Sequence, residues 1–420
     1  MMNQNKTNWK TEIMAGVIGY FTTVYIIAVN SSILHDAGLP MQAGIMATIL
    51  ASFVGCLLIG FWANAPMILI PGMGVNVLFS YAIVQGTSLT YAEGLGVILV
   101  SSILFLAIAF TKLGGWLQAS IPDSLKHAIT VGLGLFLTFI GIEKGALIQR
   151  GEHSLIEIGS FSSPEVLVTL MTLAVGIYLF TKNVPGNFLI TILVGTGLAF
   201  LFGVQNTSQG TAFSSDQALW MIPSLGAFNE IAFWTSVFPL TVVLVFENMG
   251  LINGQLSMLN APHKFKRSFQ STAFSSLTCA FFGTSPTVSS AESAAAIASN
   301  GRTKTTSITV GVLFLATIAL IPFISMIPSM AISPILIIVG SLMVQNIKHI
   351  DFQDVSEMIP AFLIITMIPF TYSIADGMAF GFIAYPIAKL AVRRQQEVNA
   401  TLLIIAILFV IQFVLQGIQT

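Results

Sequence analysis

The chain has 420 residues, of which 55% are hydrophobic and 8% charged, with a formal net charge of -1. A soluble domain carries about 25% charged residues, so this composition excludes a water-soluble enzyme. The near-zero charge also argues against a nucleic-acid partner or a polybasic lipid anchor.

Apolar stretches of the roughly 17–25 residues needed to cross a hydrocarbon layer follow one another from Ile13 to the C-terminus, so the chain reads as an all-α integral membrane protein in contact with the lipid bilayer. Hydropathy and helix breakers predict spans at 13–33, 41–61, 66–84, 92–111, 125–142, 163–181, 186–204, 231–252, 268–283, 284–300, 305–326, 332–347, 357–373 and 375–391. A further apolar run at 400–417 either spans or lies flat. The first stretch is as long as a full span and has no small-residue cleavage site before Asn30, so no removable leader is expected. With a cytoplasmic N-terminus, all of the 16 lysines and arginines except Lys144 and Arg150 fall on the inner side, which supports fourteen spans in a plasma or inner membrane. The gap from Gln205 to Gly226 lacks Lys and Arg, as suits a translocated loop. Cys56 and Cys279 lie in apolar runs and read as small core residues.

The third and tenth spans are not ordinary helices. In one, Ala63-Asn64-Ala65-Pro66 and Pro71-Gly72-Met73-Gly74-Val75-Asn76 interrupt an apolar stretch. In the other, Gly283-Thr284-Ser285-Pro286-Thr287-Val288-Ser289-Ser290-Ala291-Glu292 is polar and β-tending before Ser293-Ala294-Ala295-Ala296. Backbone left unpaired in lipid must be enclosed by protein or line a cavity. The two segments occupy matching places if the chain is two inverted seven-span repeats, with short extended pieces in its broken third and tenth helices, and paired broken helices point to a transporter binding site near the bilayer midplane.

Most acidic residues lie at predicted span ends or in loops; two do not, Glu247 in the eighth span and Glu292 in the tenth. An ionisable side chain there costs about 2.5–3.5 kcal/mol on insertion scales and marks a ligand site or a proton path. Glu292 also has a structural reading, because Ser289-Ser290-Ala291-Glu292 has the spacing of a capping box. Asn76, beyond the Pro-Gly break, offers a donor and an acceptor to the amide edge of a heterocycle. Tyr25, in a polar stripe with Thr22, Thr23 and Asn30, and Phe79 are candidates to stack on a flat ring. Gly74, through its backbone, and Ser290 complete the expected substrate-binding set, whereas Asp376 reads as a turn or cap residue. His127, His263 and His349 lie beside basic residues with no partner at metal-ligand spacing, so no metal, no other cofactor and no catalytic residue is expected.

Several strings resemble the adenine/guanine/hypoxanthine permease branch of the nucleobase-cation symporter (nucleobase-ascorbate transporter) family. They are Thr11-Glu12-Ile13-Met14-Ala15-Gly16, Val24-Tyr25-Ile26-Ile27-Ala28-Val29-Asn30, Pro71-Gly72-Met73-Gly74-Val75-Asn76, Ile121-Pro122-Asp123-Ser124-Leu125-Lys126, Glu292-Ser293-Ala294-Ala295 with Gly301-Arg302-Thr303, and Pro369-Phe370-Thr371-Tyr372-Ser373-Ile374-Ala375-Asp376-Gly377. The likeness covers almost the whole chain. It implies a core domain (1–112 and 227–326), a gate domain (113–226 and 327–398) and an additional C-terminal helix (399–420). It further implies a nucleobase held between core and gate by Glu247, Glu292 and Asn76, and proton coupling through the two carboxylates. One departure stands out. The purine branch usually carries an acidic residue where this chain has Leu244, and Phe246-Glu247-Asn248-Met249-Gly250 looks more like the uracil/xanthine sister branch, which leaves the choice of base open. The expectation is therefore a secondary active transporter that takes up a nucleobase, such as hypoxanthine, guanine or adenine, with protons, in a form that leaves room for a homodimer. The alternatives are a uracil or xanthine carrier on the same fold, or an anion transporter or channel of a related fold; the lack of any mid-span Lys or Arg weighs against the latter.

Overall fold

The computed structural model describes residues 9–111, 120–149, 151, 156–204 and 221–419. Lys6, Lys112, Arg150 and most of the Gln205–Gly226 gap lie outside the described residues. The chain opens with helices α1 (Trp9–Thr23) and α2 (Ile26–Asp36), which meet at a break, and continues with α3 (Met41–Leu58). A π-helical turn, Ile59–Ala63, then ends at Asn64, whose φ of 49° is left-handed. Residues 65–68 are extended and lead into strand β1 (Leu69–Pro71), helix α4 (Met73–Val77) and a π-helical stretch, Leu78–Gln85. Helix α5 (Tyr91–Phe110) starts at a capping box in which the Thr90 side chain accepts from the Glu93 amide and the Glu93 carboxylate accepts from the Thr90 amide.

Next come α6 (Asp123–Lys144), the two-residue strands β2 (Ile148–Gln149) and β3 (Glu157–Ile158), which pair antiparallel, α7 (Pro164–Thr181) and α8 (Asn187–Leu201). Helix α9 (Ile231–Met258) runs 28 residues through Pro239 and is followed by α10 (Phe265–Phe282). The second interruption contains strand β4 (Thr287–Ser289) and the six-residue α11 (Ser293–Ala298). The remainder is α12 (Lys304–Ala316), α13 (Ile321–Ile324), α14 (Ser329–Val344), α15 (Val355–Thr371), α16 (Ile374–Ala391) and α17 (Ala400–Gln419). Among the described residues, nine helices are long and apolar enough to cross a membrane. Large apolar side chains such as Phe61, Leu201, Phe323 and Phe370 are exposed on the outer surface, as a lipid-facing protein requires.

The two interruptions solve each other's hydrogen-bonding problem. Strands β1 and β4 pair antiparallel, with Leu69 opposite Ser289, Ile70 opposite Val288 and Pro71 opposite Thr287. Beyond the ladder, the Gly72 amide donates to the Pro286 carbonyl at 3.1 Å and the Ser290 amide to the Ile68 carbonyl at 2.9 Å. The Ser307 hydroxyl covers the Ala65 and Met67 carbonyls, each at 2.6 Å. Neighbouring protein thus satisfies backbone that no water reaches. Asn30 is fully buried and stitches this region from the side, donating to Thr48 at 2.7 Å and Thr284 at 3.0 Å and accepting from Ser285 at 3.1 Å.

Helices α1, α2, α3, α5, α9, α10 and α12 pack on one another around the paired strands. Helices α6, α7, α8, α14, α15 and α16 pack mainly among themselves, with α14 and α15 against α6. Helix α17 docks on α16, and its buried Phe409 meets Phe382 at 5.6 Å and Phe238 of α9 at 5.0 Å between ring centroids.

Candidate functional site

Between these two sets of helices lies a cavity of about 530 Å³, within the usual range for a small-molecule site. One wall is built from Ile70 to Gly74, Val288 to Glu292, Tyr25 at the α1–α2 break and the stretch of α9 that carries Glu247. The facing wall is α6, through Asp123, Lys126, His127, Thr130 and Leu133, and α14, through Val339, Leu342 and Met343, with Asn346 in the turn that follows it. The cavity reaches Asp123, whose side chain is 82% exposed, so it opens at the start of α6.

The two carboxyl groups share this cavity but not its hydrogen bonds. Glu292 is held: the Tyr25 hydroxyl donates to its Oε1 at 2.6 Å and the Ser290 hydroxyl donates to its Oε2. Its own amide donates to the Ser290 hydroxyl at 3.1 Å. Glu247 lines the same space, yet its buried Oε2 accepts no hydrogen bond from any described residue. A buried carboxylate oxygen without a donor is costly, and the side chain that bears it lines the cavity.

The expected capping box at Ser289 does not form. Ser289 belongs to β4, where its amide donates to Asn248 Oδ1 at 3.0 Å and its hydroxyl to Gln255 Oε1 at 2.7 Å. Gln255 in turn donates to the Ser290 carbonyl at 2.7 Å. The strand pairing and these two amides of α9 carry the chain straight through Ser289, so the N-cap position falls at Glu292, with no side-chain cap bond.

Asn76 and Phe79 are also placed differently from the expectation. Neither lines the cavity: Asn76 is fully buried, donating to the Asn30 carbonyl at 3.4 Å and accepting from Ser80 at 3.3 Å. Phe79 packs edge-to-face on Tyr91 with centroids 5.3 Å apart. The reason is helical phase. Gly74 faces the cavity, and two residues on the chain has turned about 200°, so Asn76 and its neighbours one turn later point to the rear. The Tyr25 ring rests against Phe188 of α8 at 4.8 Å, with its hydroxyl committed to Glu292. Asp376 lies in the first turn of α16, its amide capped by the Ser373 hydroxyl at 3.1 Å, away from the cavity. Thr22 and Thr23 bond back to Gly19 of their own helix.

Sequence reasoning missed the supports and the facing wall. Asn248 and Gln255 are seven apart on α9, two turns on one face, and that spacing was a readable signal. His127 and Asn346 carry no such signal; His127 lies in the cavity wall with its ring 4.8 Å from that of His349.

A model of the permease family matches residues 10–380. The chain belongs to that family. This permease is 46% identical over 384 residues to the nucleobase transporter PlAzg2 of Paenibacillus larvae, covering 90% of this chain and 77% of that one. It is 35% identical to the guanine/hypoxanthine permease PbuO of Bacillus subtilis, with 98% of each chain covered. To the adenine permease AdeP of Escherichia coli it is 31% identical, covering 98% of this chain and 94% of that one. Its fold resembles the transmembrane domain of the cyanobacterial bicarbonate transporter BicA, with a TM-score of 0.68 at 15% identity over 90% of this chain and 98% of that one. It also resembles the murine solute carrier 26 family member A9 anion transporter in the inward-facing state, with a TM-score of 0.69 at 13% identity over 92% and 69% of the two chains. The permease is a multi-pass membrane transport protein and not an enzyme.

Proposed function

We propose that this permease takes up a purine nucleobase together with protons by alternating access, and that Glu247 and Glu292 bind the base and carry the coupling. The observation that carries the reading is the contrast in the cavity: one carboxylate is oriented by Tyr25 and Ser290, while the other lines the same space with an oxygen that no described residue engages. A purine presents N–H donors and acceptors around a flat edge, which suits two carboxylates with the serine hydroxyl and the backbone beside Gly74. Guanine/hypoxanthine and adenine permeases among the relatives favour guanine, hypoxanthine or adenine over uracil or xanthine.

The proposed architecture is fourteen spans in two inverted seven-span repeats, with the N-terminus at the cytoplasmic face of the cell membrane. A core domain (1–112 and 227–326) would move against a gate domain (113–226 and 327–398), a division supported by the two packing sets on either side of the cavity. On this orientation the cavity opens toward the cytoplasm at Asp123.

Uptake of labelled bases by cells lacking their own carriers, with and without an uncoupler, tests the function. The expected result is accumulation of a purine that collapses with the proton gradient. No accumulation of any nucleobase would sink the reading; accumulation indifferent to the uncoupler would remove the coupling.

A further inference from the structure

We infer that Asp36 and Lys144 form a latch that seals the side of the carrier opposite the cavity mouth. The inference rests on the proposed division into core and gate and on the proposed orientation, which makes the sealed side the external one.

The observations follow α6 from one end to the other. Near its start, Asp123, Lys126 and His127 line the open cavity. Leu133 closes the cavity floor: a Cβ added to Gly74 would stand 3.0 Å from Leu133 Cδ1, so the two helix sets touch there. One turn further, Phe136 is fully buried and meets the Tyr81 ring at 6.3 Å on one side and the Tyr372 ring at 5.3 Å on the other. At the end of α6, Lys144 Nζ lies 2.5 Å from Asp36 Oδ2 of α2. The Tyr81 hydroxyl donates to the same Asp36 oxygen, Gln85 donates to the Asp36 carbonyl at 2.6 Å and Lys144 reaches the Ser32 hydroxyl at 3.1 Å. Floor, aromatic plug and ion pair are three successive layers of one contact between α6 and the α2–α4 region.

The electrostatics make the outermost layer a switch. The Lys144 and Asp36 side chains are 12% and 28% exposed, so the pair is largely withdrawn from water while closed. Parting the two sets of helices returns both charges to water, where each is stable alone. Deleting one charge strands the other unpaired in the closed contact, which penalises that conformation more than the open one. The pair therefore favours the outside-closed state and must break each time the carrier faces outward.

The test uses the full chain in right-side-out vesicles, with Cys56→Ala and Cys279→Ala and a reporter cysteine, Leu133→Cys, at the cavity floor. A membrane-impermeant maleimide added outside should label the reporter about five- to thirtyfold faster in Asp36→Asn and in Lys144→Gln. Tyr81→Phe, which removes only one donor, should accelerate labelling about two- to fivefold. The exchange of both charges, Asp36→Lys with Lys144→Asp, should return the rate toward that of the parent. Labelling from the cytoplasmic side in every variant shows that each has folded. Unchanged outside rates in Asp36→Asn and Lys144→Gln, or no recovery in the exchanged pair, would overturn the latch. Because this readout needs no substrate, it can fail while nucleobase uptake succeeds, and the reverse.

Discussion

Two segments of one cavity wall carry a carboxylate each, and they are built in opposite ways. The Glu292 segment is a strand and a six-residue helix tied down on every side, by β1, by Asn248 and Gln255 of α9, and by Tyr25. The Glu247 segment is one continuous helix that satisfies its own backbone except where Pro239, two turns earlier, lacks an N–H, and its carboxylate has an oxygen that no described residue engages. Irregular backbone in a membrane must spend side-chain donors and acceptors on itself, which fixes the groups it displays. A regular helix satisfies its own backbone and can leave a polar group available for a ligand. The difference assigns positioning to the first segment and exchange to the second.

The largest effect should come from breaking the available side. Glu247→Gln replaces an oxygen that accepts with an amide that donates, and uptake should fall about 100-fold or more while membrane abundance stays the same; uptake near that of the parent would equate the two segments and end the distinction. Glu292→Gln keeps one acceptor and should lower uptake about tenfold, with part of the loss appearing as lower thermal stability, since Tyr25 and Ser290 both lose a charged partner. Tyr25→Phe leaves Ser290 in place and should raise KM about three- to tenfold, as measured by concentration-dependent uptake; an unchanged KM would show that Glu292 needs no orienting. The smallest effect on transport is expected behind the cavity. Asn76→Ala should depress the melting temperature of the purified protein, through its lost bonds to Asn30 and Ser80, and leave KM within about twofold. A large KM change there would restore Asn76 to the binding site.

Much of this was legible in the chain itself. A carboxyl group in an apolar run is so unfavourable that Glu247 and Glu292 announce themselves, and prolines and glycines at Pro66, Pro71, Gly72 and Pro286 forbid uninterrupted helices in those places. What failed were the inferences that depended on phase and on competition. Asn76, just past the break, and Phe79, a candidate to stack on a flat ring, read as cavity residues, but helical rotation from Gly74 turns them away. The Ser289 capping box has the right spacing and lost to a strand partner more than 200 residues away, which no local pattern reveals.

The sequence by itself determined that the chain crosses a membrane repeatedly, where its helices break and which carboxylates lie deep, because each of these follows from local composition and the penalty for polar groups in hydrocarbon. The tertiary structure decided that β1 meets β4, that Tyr25 and Ser290 grip one carboxylate while the other stays open, and that Asp36 reaches Lys144. Those outcomes depend on which distant segments approach and in what rotation, and the energies that select them belong to the packed whole.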